Sequence, residues 1–256
     1  MKRLFAIVLA LPILASAQEK GKPFTINGSF EKVPDSLRIA KVFMYTRIAG
    51  ENKVDSALTA DNKYQFKGTL EEPIVAYFQF RYADSLMNLK RRRGAEAFFV
   101  EPGTMKIVSY TKPDSVKLTG SKSNIEFEKL SKQASASDSA MMVLYNQYGE
   151  YAKAKDQVNQ DRVEKMIDSF DAKIKEDVYG FYVKKNASSP VAVYALGQYA
   201  GYNIDPEKIE PLYNSLSPAL KKTPSAEIKN TRIRVSDYQK FSLFAKCYLT
   251  YRLNII

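Results

Sequence analysis

The sequence predicts a segregated α+β chain: an N-terminal antiparallel β-sandwich or barrel followed by an all-helical segment. Three observations carry this. Up to about Gly120, apolar residues alternate in short runs separated by turn residues. From Ser123 onward they recur at helical spacing. Three Ser–Pro or Asp–Pro pairs in the second half mark helix starts. With 45% hydrophobic and 12% aromatic residues among 256, a packed core is expected rather than disorder.

The elements follow in order. Phe24 to Phe30 reads as the first strand and Val33-Pro34-Asp35 as a turn. Leu37 to Thr46 reads as a second strand, with Leu37, Ile39, Phe43 and Tyr45 on one face and Ala40, Val42 and Met44 on the other. Two apolar faces imply a central strand covered on both sides. Lys53 to Pro73 reads as a hairpin, and the rest of the sheet is organised around it. In it Val54, Ser56 and Leu58 alternate with Asp55, Ala57 and Thr59, and Tyr64, Phe66 and Gly68 alternate with Gln65, Lys67 and Thr69. Ala60-Asp61-Asn62-Lys63 supplies the turn, because Asp and Asn tolerate positive φ. Gly68 inside a strand implies a bulge or the close approach of another segment, and Pro73 marks a strand boundary or edge.

Ile74 to Tyr82 is a long strand whose one face is Ile74, Ala76, Phe78, Phe80 and Tyr82. Asp84 to Gly94 is a polar loop. Strands follow at Ala95 to Val100, Met105 to Tyr110 and Val116 to Thr119, with Glu101-Pro102-Gly103 as a turn. Beyond Ser123, one helical stripe runs Leu130, Ala134, Met141, Tyr145, Tyr148, Ala152, and a second runs Val163, Ile167, Phe170, Ile174, Val178, Phe181. Ser189-Pro190 starts a helix that stops at Gly201; Asp205-Pro206 and Ser217-Pro218 start two more, the first shortened or kinked by Pro211.

The expected division is a signal peptide at 1–17, a β-domain at 24–120, a helical domain at 121–233 and an atypical tail at 234–256. Lys2 and Arg3, the apolar run Leu4 to Leu14 and Ala15-Ser16-Ala17 have the n-, h- and c-region order of a secretory leader. No cysteine lies near that cut, so an exported protein of the periplasm or cell envelope is expected, not a lipoprotein. No transmembrane segment is expected after signal cleavage.

Composition removes several chemistries. The chain has no histidine, no tryptophan and one cysteine, which excludes Ser-His-Asp and Cys-His catalysis, His-based zinc sites, an internal disulfide and a Cys-x-x-Cys pair. The formal charge is +11, and loss of Lys2 and Arg3 with the leader lowers it by two. The only tight basic cluster, Lys90-Arg91-Arg92-Arg93, reads as a solvated loop rather than a phosphate or anion site. It has no interleaved aromatics, so nucleic acid is not an expected partner. Glu71, Glu72, Glu96, Glu101 and Asp55 are available carboxylates, but adjacent Glu71 and Glu72 point to opposite sides of a strand. Tyr64, Tyr77, Tyr82 and Tyr110 are candidate aromatics for a glycan or peptide groove, with core packing the plainer reading. Lys246 beside Cys247 would lower a thiol pKa, but among Phe244, Tyr248 and Leu249 the cysteine reads as a small buried hydrophobe. No catalytic, cofactor-binding or metal-ligating residue is identified and no cofactor is expected.

Phe24-Thr25-Ile26-Asn27-Gly28-Ser29, Val54-Asp55-Ser56-Ala57, Tyr64-Gln65-Phe66-Lys67-Gly68 and Glu72-Pro73, followed by Phe99-Val100-Glu101-Pro102-Gly103 and Leu118-Thr119-Gly120-Ser121, resemble the DUF4369 domain of Bacteroidota envelope proteins. Leu216-Ser217-Pro218 and Thr223-Pro224 are similar to the helical segment that follows it, so the resemblance spans Phe24 to Ile233. It implies kinship with exported thioredoxin-like thiol-disulfide oxidoreductases of the TlpA/ResA type. Their Trp-Cys-x-x-Cys motif is missing here, and too few residues follow Ile233 for a thioredoxin fold of roughly a hundred residues. No catalytic residue carries over, and the tail reads as the ending of a truncated or frameshifted gene. The expectation is a non-catalytic extracytoplasmic accessory or interaction module that meets a protein partner or substrate protein in the envelope; the alternative is an envelope protein binding glycan or peptide.

Overall fold

In a computed structural model, the structure describes residues 21–48, 50–84, 97–110, 116–201 and 204–236. Lys90 to Arg93, Glu96, Cys247, the leader at 1–17 and the tail beyond 236 lie outside the described residues.

Eight strands form two four-stranded sheets: β1 (Lys22–Glu31), β2 (Ile39–Ile48), β3 (Glu51–Leu58), β4 (Lys63–Leu70), β5 (Ile74–Tyr82), β6 (Phe98–Val100), β7 (Gly103–Tyr110) and β8 (Val116–Thr119). One sheet has the order β4-β1-β7-β8 and the other β3-β2-β5-β6. The segregated α+β reading holds, and of its two forms this is the sandwich, not a closed barrel. Five pairings are antiparallel, but β1 and β7 run parallel, Phe24 beside Gly103 through Glu31 beside Tyr110. The inward faces of both sheets share one core that includes Ile26, Val42, Phe66, Phe78 and Ile107. The face Ile74, Ala76, Phe78, Phe80, Tyr82 is buried in full, as its alternation predicts.

The central hairpin is corrected. Asp61 and Asn62 do take positive φ (48° and 58°), but beyond one bridge, Ala60 to Lys63, the two strands part into different sheets. β3 pairs with β2, and β4 pairs with β1. The side chains explain the separation: β4 buries Tyr64, Phe66 and Leu70, whereas β3 buries none, with Val54 56% and Leu58 75% exposed. β3 turns Val54 and Leu58 outward and sets only Ala57 against the core, so it contributes little between the sheets and serves as an edge strand. The face assignment in β2 is also corrected. A register shift between Ile39 and Lys41 places Ile39, Val42 and Met44 together in the core, while Leu37 falls in a 3-10 turn (Asp35–Leu37). Gly68 behaves as expected, since a Cβ there would stand 2.7 Å from the Phe24 ring of the paired strand. Gly28 is the same device in mirror: the Tyr64 ring lies across it, 2.0 Å from where a Cβ would be.

The helices are α1 (Lys122–Ser135), α2 (Asp138–Ala154), α3 (Gln157–Ile174), a π-helical turn (Lys175–Gly180), α4 (Phe181–Lys185), α5 (Pro190–Ala200), α6 (Pro206–Ser215), α7 (Pro218–Lys221) and α8 (224–236). Ser189 caps α5 by accepting from the Val191 N–H, Ser217 caps α7 by accepting from the Leu220 N–H, and Gly201 ends α5 with φ 61°. Asp205 precedes Pro206 at the start of α6, which continues through Pro211 to Ser215 without a break. The two predicted stripes bury less than their spacing implies. In α2 only Leu144 is buried and in α3 only Val163, while Tyr145 and Phe181 stay exposed.

Sandwich and helices meet on the outer face of the β3-β2-β5-β6 sheet. Phe98 and Phe99 are neighbours in β6 and point opposite ways. Phe98 joins the sandwich core, and Phe99 joins the helical core of Phe127, Val191, Leu196 and Leu212. Two contacts tie α1 to this edge strand: the Phe99 N–H donates to Asn124 Oδ1 at 3.0 Å, and Glu101 accepts from the Lys122 and Ser123 N–H groups at 2.7 and 3.1 Å. The first covers part of an open sheet edge; the second satisfies orphan donors at a helix N-terminus.

Candidate functional site

A groove of about 650 Å³ lies along this seam. Three pieces of chain build it, each by its own periodicity. The sheet contributes Arg47 at the end of β2 and the directly paired Val75 and Phe99. Helix α5 contributes Pro190, Val193, Tyr194, Gly197, Gln198 and Gly201, whose spacing of three and four lays them along one face. Helix α8 contributes Ser225, Ile228, Lys229 and Arg232, again one face.

The floor is aromatic. The Phe99 ring sits 5.2 Å from Phe127 and 6.3 Å from Tyr194, and Phe127 and Tyr194 meet edge to face at 5.1 Å. Burial raises the Tyr194 hydroxyl above its ordinary pKa, so it remains a neutral donor at physiological pH.

The rim is cationic. Arg47 is held by its Nε, which donates to the Gly50 carbonyl at 3.0 Å. Lys229 is half-buried, and a Cβ at Gly197 would stand 2.5 Å from its ammonium nitrogen. The flexible end of the lysine thus lies against the open backbone of α5 at this glycine. Burial lowers the Lys229 pKa first, and the charges of Arg232 and Arg47 lower it further. Among the described residues, none of these three cations forms an ion pair.

Among the described residues lining the groove, Glu72 is the one acid. It is 7% exposed, and its Oε1 accepts from the Ser225 N–H at 2.8 Å in the first turn of α8. It is thereby a helix cap supplied across the seam. Glu101 plays the matching part on α1, so these two candidate carboxylates hold helix N-termini. Glu71 is exposed, and Asp55 lies on the exposed edge strand, where it accepts from its neighbour's Ser56 N–H. Among the described residues no group of three or more His, Cys, Asp or Glu is placed to hold a metal ion.

The four candidate tyrosines separate. Tyr64 and Tyr82 are core residues; Tyr77 (50% exposed) and Tyr110 (41% exposed) lie on different sheets. Tyr77 stacks on Tyr45 at 5.1 Å with planes 4° apart, on the same outer face as Arg47. Sequence reasoning missed the groove. Its available signals were Thr223-Pro224, a fourth cap-and-proline start, and Ile228, Lys229 and Arg232 at helical spacing after it.

No curated protein matches this chain. Residues 24–127 match the model of the family described as a domain of unknown function, DUF4369, which takes in the sandwich and the first turns of α1.

Proposed function

We propose that this chain is a non-catalytic binding module of the cell envelope, and that the groove between sandwich and helices is its ligand site. The reading includes export through the leader at 1–17, a sandwich domain at 24–120, a helical domain at 121–233 and kinship with the N-terminal part of exported thiol-disulfide oxidoreductases. One observation supports it most: an apolar, aromatic-floored groove of about 650 Å³ carries three cations at its rim without an ion-pair partner among the described residues. Small-molecule sites have this combination of apolar walls with a few convergent polar groups, at roughly 300–1,000 Å³. Among the described residues, the one acid lining the groove is committed to capping α8, which leaves no pair of acid and base among them for proton transfer. Of the accessory and ligand-binding readings, the groove favours the second.

The test is native mass spectrometry of the full chain after incubation with a small-molecule extract of the cell envelope, beside Ile228→Trp, which fills the groove. The expected result is a retained adduct on the wild type that is lost from the folded variant. Equal adducts on both, or none on either, would refute the reading.

A further inference from the structure

We propose that the groove takes a small amphiphilic oxyanion, its carboxylate or phosphate head held by Arg47, Lys229 and Arg232 and its apolar body lying against Val75, Phe99 and Ile228. This rests on the ligand-binding reading above and specifies the ligand's chemistry.

The charge arrangement is the first argument. Lys229 and Arg232 are one turn apart on one face of α8, and Arg47 reaches the same groove from β2. Three like charges at one rim repel, and half-burying an ammonium costs solvation unless an opposite charge meets it. The acid nearest in the lining, Glu72, is turned to the Ser225 N–H. The missing counter-charge is one a ligand would bring.

The second argument is steric. Gly197 stands inside α5, where glycine is less favourable than alanine. A Cβ there would meet the Lys229 Nζ at 2.5 Å. The backbone of α5 is thus open at the point where the ammonium enters the groove. Two guanidinium groups beside an ammonium suit a planar or tetrahedral oxyanion, which accepts several charge-assisted hydrogen bonds at once. The apolar walls select for a body attached to that head, and the volume limits it to a small molecule.

The experiment is calorimetric titration of the full chain at low ionic strength with octanoate, octyl phosphate and the uncharged octyl glucoside, on wild type, Lys229→Met and Arg232→Gln. The expected result is binding of at least one anion more tightly than the glucoside, weakened about tenfold or more in each variant while thermal melts show both folded. A preference between octanoate and octyl phosphate assigns the head group. Anion binding unchanged in both variants overturns the proposal. Glucoside binding as tight as anion binding overturns it too, but leaves a ligand-binding groove standing. Absence of binding by all three probes overturns the proposal, and the ligand-binding reading then stands or falls by the extract experiment with Ile228→Trp.

Discussion

Phe99 is the large apolar side chain that the sandwich sends into the helical core, and Phe99→Ala tests its part in attachment against its neighbour. Phe99 is 2% exposed and contacts the Phe127 and Tyr194 rings at 5.2 and 6.3 Å. Truncating a buried phenylalanine to alanine costs about 3–5 kcal/mol, and each of its two aromatic pairs contributes roughly 0.5–1.5 kcal/mol beyond area burial. Phe98, one residue away, is 3% exposed and sits 4.7 Å from Phe78, so Phe98→Ala carries a similar cost on the opposite side of the sheet. Cost alone does not separate the two; location does. Hydrogen exchange on the full chain, read by mass spectrometry in mild urea, should show Phe99→Ala lowering protection in α1 and α5 while β1 and β7 keep theirs. Phe98→Ala should lower protection in β1, β5 and β7. If both variants lower protection uniformly through strands and helices, sandwich and helices unfold as one unit and the two-core reasoning fails.

Tyr64→Phe should raise stability by about 1 kcal/mol in urea melts, because the Tyr64 hydroxyl is buried with no hydrogen-bond partner among the described residues. Glu72→Ala should lower it by about 1–2 kcal/mol and Glu72→Gln by less, since glutamine keeps an acceptor for the Ser225 N–H; equal losses would mean that the carboxylate packs rather than caps. Lys229→Met should raise the apo-protein's Tm at pH 7, because the half-buried ammonium is held against burial and two like charges. The sign follows from a folded-state pKa held below the unfolded one: the unfolded chain binds more protons between the two values, so stability rises with pH there. The gain from Lys229→Met should therefore shrink toward pH ~10, and a pH-independent difference would show that the methionine acts by packing. Gly28→Ala should destabilise by more than the roughly 0.5–1 kcal/mol that alanine gains over glycine in a strand interior, because the Tyr64 ring must leave its place 2.0 Å from the new Cβ.

Local order was legible where one residue's side chain decides it. Alternation from Ile74 to Tyr82 gives β5 and its buried face, and Ser189-Pro190 gives the cap of α5. Partner choice was not legible, because it depends on burial that alternation alone does not weigh. Lys53 to Pro73 carries a real turn, yet β3 buries no large side chain and β4 buries Tyr64, Phe66 and Leu70, and the chain changes sheets at Asp61-Asn62. The β1–β7 parallel pairing joins segments far apart in sequence and leaves no local signal. The candidate site was hidden for the same reason. Glu72 and Ser225 are 153 residues apart, and the acid's role appears only when a helix start is brought to it. The basic cluster that sequence brings to notice, Lys90 to Arg93, is contiguous, whereas the cations of the groove come together only through folding.

That assembly across the seam has a thermodynamic consequence. Arg47 belongs to the sandwich, Lys229 and Arg232 belong to a helix, and the three repel one another with the groove empty. Glu72 and Glu101 work the other way, each bonding a helix N-terminus to a sheet element. Docking is thus a balance of capping carboxylates and the Phe99 contact against a cationic rim. An oxyanion in the groove would cancel the repulsion and favour the docked arrangement by linkage, in proportion to RT ln(1 + [L]/Kd). Ligand should then slow exchange at the seam, in α5 and α8 and the β6 edge, more than in the sandwich core. Lys229→Met should mimic part of that protection without any ligand. Such mimicry would separate a functional charge held at a stability cost from an ordinary surface lysine, whose removal would leave seam exchange unchanged.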